Sequence, residues 1–184
     1  MFLHNIFSIK VNNNIFLFIY LSVILIFFFG LMILGYKQLQ VLISKERQFS
    51  KLQTSIQSKA DIGYEEYLEL GILLLNKKLF SQATKYFKLA IYNCDDIILL
   101  GNIYNNIGYC YFKQNNFELA EYYYKEALLY LPDYVIALNN LAFLFEKGKN
   151  YKIALNLYEK SYNLDPGNLT TLKQKQRLEK LSPS

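Results

Sequence analysis

Three pairs of small side chains limit what this chain can fold into more than any other feature. Gly71 with Ala83, Gly108 with Ala120 and Ala142 with Ala154 each stand 12 residues apart, and the pairs recur 37 and then 34 residues along the chain. Other positions travel with them. Tyr67, Tyr104 and Leu138 lie four residues before the leading small residue, Leu70, Ile107 and Leu141 one before, and Leu74, Tyr111 and Phe145 three after. Those offsets fall on one face of a helix. Self-similarity at this period marks stacked supersecondary units, each unable to bury its apolar face alone.

The second half of each unit repeats as well, with Phe87, Tyr124 and Tyr158 followed by Ala90, Ala127 and Ser161, and with Pro132 and Pro166 closing the last two units. A short turn such as Gln114-Asn115-Asn116 folds two helices against each other. The leading small residue of one helix is then expected against the alanine of the other, where only Gly, Ala or Ser allows the axes to approach closely. Gly108 is thus a packing residue. Its helix-propensity cost of about 1 kcal/mol is offset by burying Tyr104, Tyr111 and Tyr124 around the contact. A phosphate-cradling role for the glycines has no G-x-G-x-x-G or G-K-[ST] pattern behind it.

These residues resemble the tetratricopeptide repeat family, whose helix-turn-helix unit places an aromatic, a leucine, a small residue and a tyrosine on its first helix and a small residue, an aromatic and an alanine on its second. The resemblance implies an all-α solenoid of three units, 64–97, 101–134 and 135–168. Unit one departs from the pattern: Asp95 stands where proline is expected, and three extra residues fall within Asn93–Leu100. Either a longer helix or a protruding loop fits there. Asn168 can cap a further helix, 169–182, with Leu169, Leu172, Leu178 and Leu181 spaced to cover the open end of the stack.

In this family the first helices of the units line a concave groove that takes a protein or peptide ligand. Carried onto this chain, the groove positions are Glu65, Leu68, Ile72, Leu75 and Asn76 in unit one, Asn102, Asn105, Tyr109, Phe112 and Lys113 in unit two, and Ile136, Asn139, Phe143, Glu146 and Lys147 in unit three. The resemblance implies that the amides of Asn102, Asn105 and Asn139 pair with an extended peptide backbone while Tyr109, Phe112 and Phe143 supply apolar area. Relatives that grip chaperone tails carry Lys or Arg at positions held here by Leu68, Ile136 and Asn140, which disfavours that ligand.

Ahead of the repeats, residues 15–36 form 22 positions without a charge, 16 of them Leu, Ile, Phe or Val. As a helix they would cover roughly 33 Å against a hydrocarbon core of about 30 Å. The summed insertion free energy is roughly −5 to −10 kcal/mol. The stretch is longer than the apolar part of a signal peptide and runs into Gly35-Tyr36-Lys37 without a small-x-small cleavage site, so an uncleaved anchor is expected. Gly30 and Gly35 are five apart, which is not the four-residue spacing of a small-residue dimer face. Residues 1–14 then form an N-terminal tail and 37–60 a basic helical linker. Lys37, Lys45, Arg47, Lys51 and Lys59 against Glu46 hold the C-terminal domain on the non-translocated, cytoplasmic or stromal side. Leu42, Phe49, Leu52 and Ile56 at near-heptad spacing leave a coiled-coil stalk, a solvated linker and a helix lying on lipid headgroups all open.

From Asp61 onward the chain has 14 basic and 14 acidic residues. That neutrality argues against nucleic-acid binding, which needs a basic face. Cys94 and Cys110, with His4 the single histidine, make no zinc pattern. The carboxylate pairs Glu65-Glu66 and Asp95-Asp96 read as solvated helix-end charges. Asn168-Leu169-Thr170 matches a glycosylation acceptor but lies on the wrong side of the membrane. No catalytic residue, cofactor or metal site is expected, and the chain is read as a binding scaffold.

Lysine outnumbers arginine 18 to 2, as in proteins of AT-rich genomes such as those of plastids, mitochondria or low-GC bacteria. Span, basic linker, repeats and composition together resemble a family of small plastid-encoded tetratricopeptide proteins. That resemblance implies a thylakoid-anchored factor, domain toward the stroma, that aids assembly or stability of photosystem I. The alternative is a membrane-tethered receptor for targeting peptides in transport or secretion.

Overall fold

The computed structural model describes the backbone of residues 2–58 and 62–181 and the side chains of residues 15–55 and 62–181. Among the described residues all regular structure is helical, in eight helices and without a strand. The chain divides into two compact units, Met1–Lys51 and Leu52–Ser184.

A single helix, α1 (Phe2–Ser58), makes up the first unit as far as Lys51 and gives its last residues to the second, running without a break through the segments that charge and hydropathy divide into tail, span and linker. Charge sets where a helix meets water, but it does not interrupt the backbone hydrogen bonding. No proline falls in this stretch, and isolated Gly30 and Gly35 weaken a helix only modestly. Residues 59–60 of the linker lie outside the described residues, as do Met1 and Ser182. From Ile15 to Tyr36 nearly every side chain is exposed, and the helix is long and apolar enough to cross a membrane. Of the near-heptad set, Leu42 is exposed, Phe49 half-buried and Leu52, already in the second unit, buried. The side chain of Ile56, the fourth of the set, lies outside the described residues.

The second unit holds α2 (Tyr64–Asn76), α3 (Phe80–Tyr92), α4 (Ile97–Lys113), α5 (Phe117–Tyr130), α6 (Val135–Lys147), α7 (Tyr151–Leu164) and α8 (Leu169–Leu181). Helices pack in chain order, as pairs α2/α3, α4/α5 and α6/α7, and pair on pair through α3/α4, α5/α6 and α7/α8. Each intra-pair turn carries one residue in the left-handed region: Lys78, Asn115 and Lys149, with φ of 61°, 60° and 61°. In the middle turn the Asn115 amide donates to the Phe112 carbonyl and the Asn116 amide to that of Tyr111, both at 3.0 Å. Asparagine tolerates this conformation, whereas a lysine pays about 1–2 kcal/mol for it. Lys149→Gly is therefore expected to raise stability by about 0.5–1 kcal/mol, after glycine's extra backbone entropy is subtracted. A urea midpoint that stays put or falls would contradict this account of the turn.

At the junction of the first two pairs the structure selects the longer helix over a loop. Asp96 caps α4, its Oδ1 accepting from the amides of Ile98 (2.8 Å) and Leu99 (3.1 Å), and α4 has 17 residues where α2 and α6 have 13. Asp96 is thus an exposed helix-end charge, as expected, with the further task of capping the helix. Gly101, on the same helix, was missed: a Cβ there would collide with Leu131 Cδ1, so the glycine seats that leucine.

Asn168 starts α8, its Oδ1 accepting from the amides of Thr170 and Thr171, both at 3.1 Å. Of the four leucines expected to cover the end of the stack, Leu178 is fully buried with Ala142, Ala154 and Tyr158. Leu172 is half-buried, while Leu169 and Leu181 are exposed. Both exposed leucines sit at the ends of α8, where the helix begins and stops, and the buried Thr171 occupies the contact instead.

Candidate interaction face

All six expected packing residues, Gly71, Ala83, Gly108, Ala120, Ala142 and Ala154, are buried. The nearest neighbour of the two glycines is nevertheless not the alanine 12 residues on. A Cβ on Gly71 would lie 2.6 Å from the Phe87 ring, and one on Gly108 would lie 2.7 Å from that of Tyr124. Each ring is one helical turn beyond the alanine, so the alanine lets the helices approach and the glycine accommodates the ring that fills the space. In the third pair Ala142, Ala154 and Tyr158 form one buried cluster. Burial pushes the phenols of Tyr124 and Tyr158 well above their ordinary range, so both stay neutral.

The first helices of the pairs present a strip of aromatic side chains. Phe112 of α4 and Phe143 of α6 meet with ring centroids 5.6 Å apart. Phe117, the first residue of α5, lies 5.8 Å from Phe112, and Phe80, the first of α3, stands edge-on to Tyr109 at 6.4 Å. Tyr109 and Phe112 are half-buried and Phe143 is 37% exposed, beside Ile136 at 55%. An ammonium stands over each end of the strip, with Lys113 Nζ 5.2 Å from the Tyr109 ring centroid and Lys147 Nζ 5.4 Å from that of Phe143. Such cation–π contacts orient a lysine without neutralising it. Phe80 and Phe117 were not anticipated, although Phe80, Phe117 and Tyr151 fall nine residues after each leading small residue and carried the signal.

The asparagines behave differently from one another. Asn102 is half-buried. Asn105 is only 4% exposed, and its Oδ1 accepts from Asn140 Nδ2 at 2.9 Å, tying α4 to α6. Asn139 donates through Nδ2 to Thr171 Oγ1 of α8 at 2.8 Å, and its buried Oδ1 has no partner among the described residues. The expectation that all three amides face a ligand is thus corrected for Asn105 and Asn139, whose bonds join successive repeats. Glu146 is likewise engaged, by an ion pair with Arg177 of α8 and as acceptor of the Tyr158 hydroxyl at 3.5 Å. Where a chaperone-tail clamp would place cations, Leu68 is half-buried, Ile136 is apolar and Asn140 is spent on Asn105.

Both cysteines are free and buried. Burial lifts the Cys110 thiol to about 11, which leaves it protonated and inert at neutral pH. Among the described residues no group of three or more His, Cys, Asp or Glu is placed to hold a metal ion.

Antiparallel helix pairs stacked in chain order, with rings seated on small residues and an open strip along the first helices, define a tetratricopeptide solenoid, a protein-interaction scaffold. The family model described as tetratricopeptide repeat matches residues 101–134, the second pair. The protein ycf37 of Pyropia yezoensis is 33% identical over 162 residues, covering 85% of this chain and 90% of its own. The chain belongs to the ycf37 family of tetratricopeptide repeat proteins. A chloroplastic tetratricopeptide repeat domain-containing protein of Arabidopsis thaliana, PYG7, is 33% identical over 132 residues, covering 70% of this chain and 44% of that protein. Among solved structures, the first tetratricopeptide domain of Spaghetti (RPAP3), bound to an HSP90 peptide SRMEEVD, superposes with a TM-score of 0.60. It covers 66% of this chain and 94% of that one at 16% identity, a likeness of fold.

Proposed function

We propose that the chain is a membrane-anchored scaffold that holds a segment of a membrane-complex subunit on the Tyr109–Phe112–Phe143 strip during assembly or stabilisation of photosystem I in the thylakoid membrane, with the repeats on the stromal side. The observation that carries the reading is the strip itself. Its aromatic faces are partly open, it is flanked by Lys113 and Lys147, and the Asn105–Asn140 and Asn139–Thr171 bonds beside it tie successive repeats together. A ligand gains apolar contact there without disturbing the bonds that hold the repeats together.

The anchor adds a second physical advantage. Confining the repeats to a membrane surface raises their effective concentration toward subunits in the same bilayer, so a modest intrinsic affinity suffices. The exposed apolar run from Ile15 to Tyr36 and the basic residues that follow it support this arrangement and the stromal orientation. Chloroplast membership of a relative supports the compartment.

Affinity purification of the tagged full chain from mildly solubilised thylakoid membranes tests the reading. Photosystem I subunits are expected to co-purify in amounts well above those recovered with a tagged single-span control. Their absence, with another membrane complex recovered in their place, would overturn the photosystem assignment while leaving the scaffold intact.

A further inference from the structure

A second recess opens elsewhere on the repeats, between α3 and the C-terminal end of α4. It is an open hollow of about 520 Å³ and includes Lys85, Lys88, Leu89, Tyr92, Tyr111 and Gln114 in its lining, sharing no residue with the aromatic strip. That volume falls among those of small-ligand clefts. Among the described residues its lining contains two lysines and no carboxylate.

Lys88 is held in place. Its Nζ donates to the Tyr111 hydroxyl at 3.0 Å and stands 5.4 and 5.5 Å from the ring centroids of Tyr111 and Tyr123. Those rings belong to a stacked series: Tyr111 on Tyr123 at 5.4 Å, Tyr123 on Tyr104 at 6.1 Å and Tyr104 on Tyr130 at 5.2 Å. The hydrogen bond that it donates to Tyr111 raises the lysine's pKa, so it is charged throughout the physiological range. A flexible lysine loses considerable rotamer entropy when it binds. Here the phenol and two ring faces have already restricted it, and neither cancels its charge. Lys85 adds a second ammonium, and the Gln114 amide donates to the Cys110 carbonyl at 3.0 Å, leaving its side-chain oxygen turned from that bond. The rim is apolar, with Leu89 40% and Tyr92 88% exposed.

We propose that this recess is a second docking site, for an acidic peptide segment of a partner protein in which carboxylates alternate with aliphatic side chains. The carboxylates meet Lys85 and Lys88, and the aliphatic groups lie on Leu89 and Tyr92. A bare inorganic anion makes no use of that apolar rim, which is why the occupant is a peptide. The site is independent of the photosystem reading.

The test uses the full chain in phosphatidylcholine nanodiscs, titrated at ~50 mM salt, where exposed charges are least screened. The probes are an amidated fluorescent hexapeptide of alternating Leu and Glu and its Leu/Gln counterpart. The Glu peptide is expected to bind about tenfold or more tightly than the Gln peptide, a difference of the kind electrostatic complementarity produces. Lys85→Gln with Lys88→Gln should abolish the difference, whereas Lys113→Gln with Lys147→Gln should leave it. Tyr111→Phe, which keeps the ring and removes the hydroxyl, should weaken binding several-fold. Equal binding of the two peptides would overturn the proposal. So would loss of binding only in the Lys113/Lys147 variant, which would move the ligand to the strip, or displacement of the peptide by phosphatidylglycerol vesicles, which would make the recess a lipid-headgroup site. Circular dichroism of each exposed-lysine variant is expected to match the parent.

Discussion

Gly108→Leu is expected to destabilise the repeat unit by about 3 kcal/mol or more and to unravel the central helix pair first. A Cβ at this position already stands 2.7 and 2.8 Å from Tyr124 Cδ1 and Cε1. The ring has nowhere to retreat: Tyr124 is 1% exposed and packs with Ala120, Leu141 and Leu144. Overpacking a filled core costs about 1–3 kcal/mol for modest additions, and leucine adds four heavy atoms at a point of contact. Its better helix propensity returns less than about 1 kcal/mol. In a solenoid, stability is a sum of unit and neighbour terms, so loss of α4/α5 also removes the support that α3 and α6 receive from them. Urea denaturation followed by far-ultraviolet circular dichroism should show an earlier and broader transition. Gly108→Ala is the smaller step and should cost about 1–3 kcal/mol, clearly less than leucine, because its Cβ meets the same confined ring while the propensity gain returns under about 1 kcal/mol. Ala142 already coexists with Tyr158 at the matching place in the third pair. A leucine variant that unfolds with the native protein would show that ring-on-glycine contact does not hold the pair together.

That contact also shows how far the fold could be read from the chain. Helix pairing was legible because close approach of two helices leaves a mark no surface position imitates: small residues at a constant offset, repeated. The contact atoms were less legible. A 12-residue offset states that Gly108 and Ala120 face each other's helices, but the volume left by glycine is filled by whichever large side chain can reach it, and that is Tyr124, one turn on. The asparagines failed for a related reason. Composition cannot distinguish an amide offered to a ligand from one used inside the stack. Yet Asn105 with Asn140 and Asn139 with Thr171 are 35 and 32 residues apart, close to one repeat. Polar residues separated by nearly a repeat length on the first helices are candidates for inter-repeat bonds before they are candidates for ligand contacts. The continuity of α1 was hidden differently, since charge boundaries were read as element boundaries.

The site was legible in part. Tyr109, Phe112 and Phe143 were expected on one face, and the structure brings Phe112 and Phe143 into contact. Lys88 and its tyrosines were not visible as a group, because they come from three helices and their spacing follows no period. The repeat therefore predicts what recurs in every unit, while features unique to one junction leave no periodic mark in the sequence.

Phe112→Ala with Phe143→Ala is expected to reduce recovery of the native partner to below about a tenth of that from the parent chain at equal protein level. Interface aromatics that act as anchors cost about 2 kcal/mol or more each on truncation, so two together weaken binding by about 100-fold or more if their effects are even partly additive. Both rings are incompletely buried, so the stability loss should stay near 1–2 kcal/mol, short of the 3–5 kcal/mol of a fully buried phenylalanine. Asn105→Ala provides the opposing case. It removes the acceptor of Asn140 and leaves a poorly solvated amide unpaired, at about 1–3 kcal/mol of stability, but the strip keeps its rings, and partner recovery per folded molecule should be unchanged. The two variants thus separate recognition from support. If Asn105→Ala abolished recovery while the double phenylalanine variant retained it, the amide network and not the aromatic strip would carry recognition, and the ligand would have to reach the seam between α4 and α6.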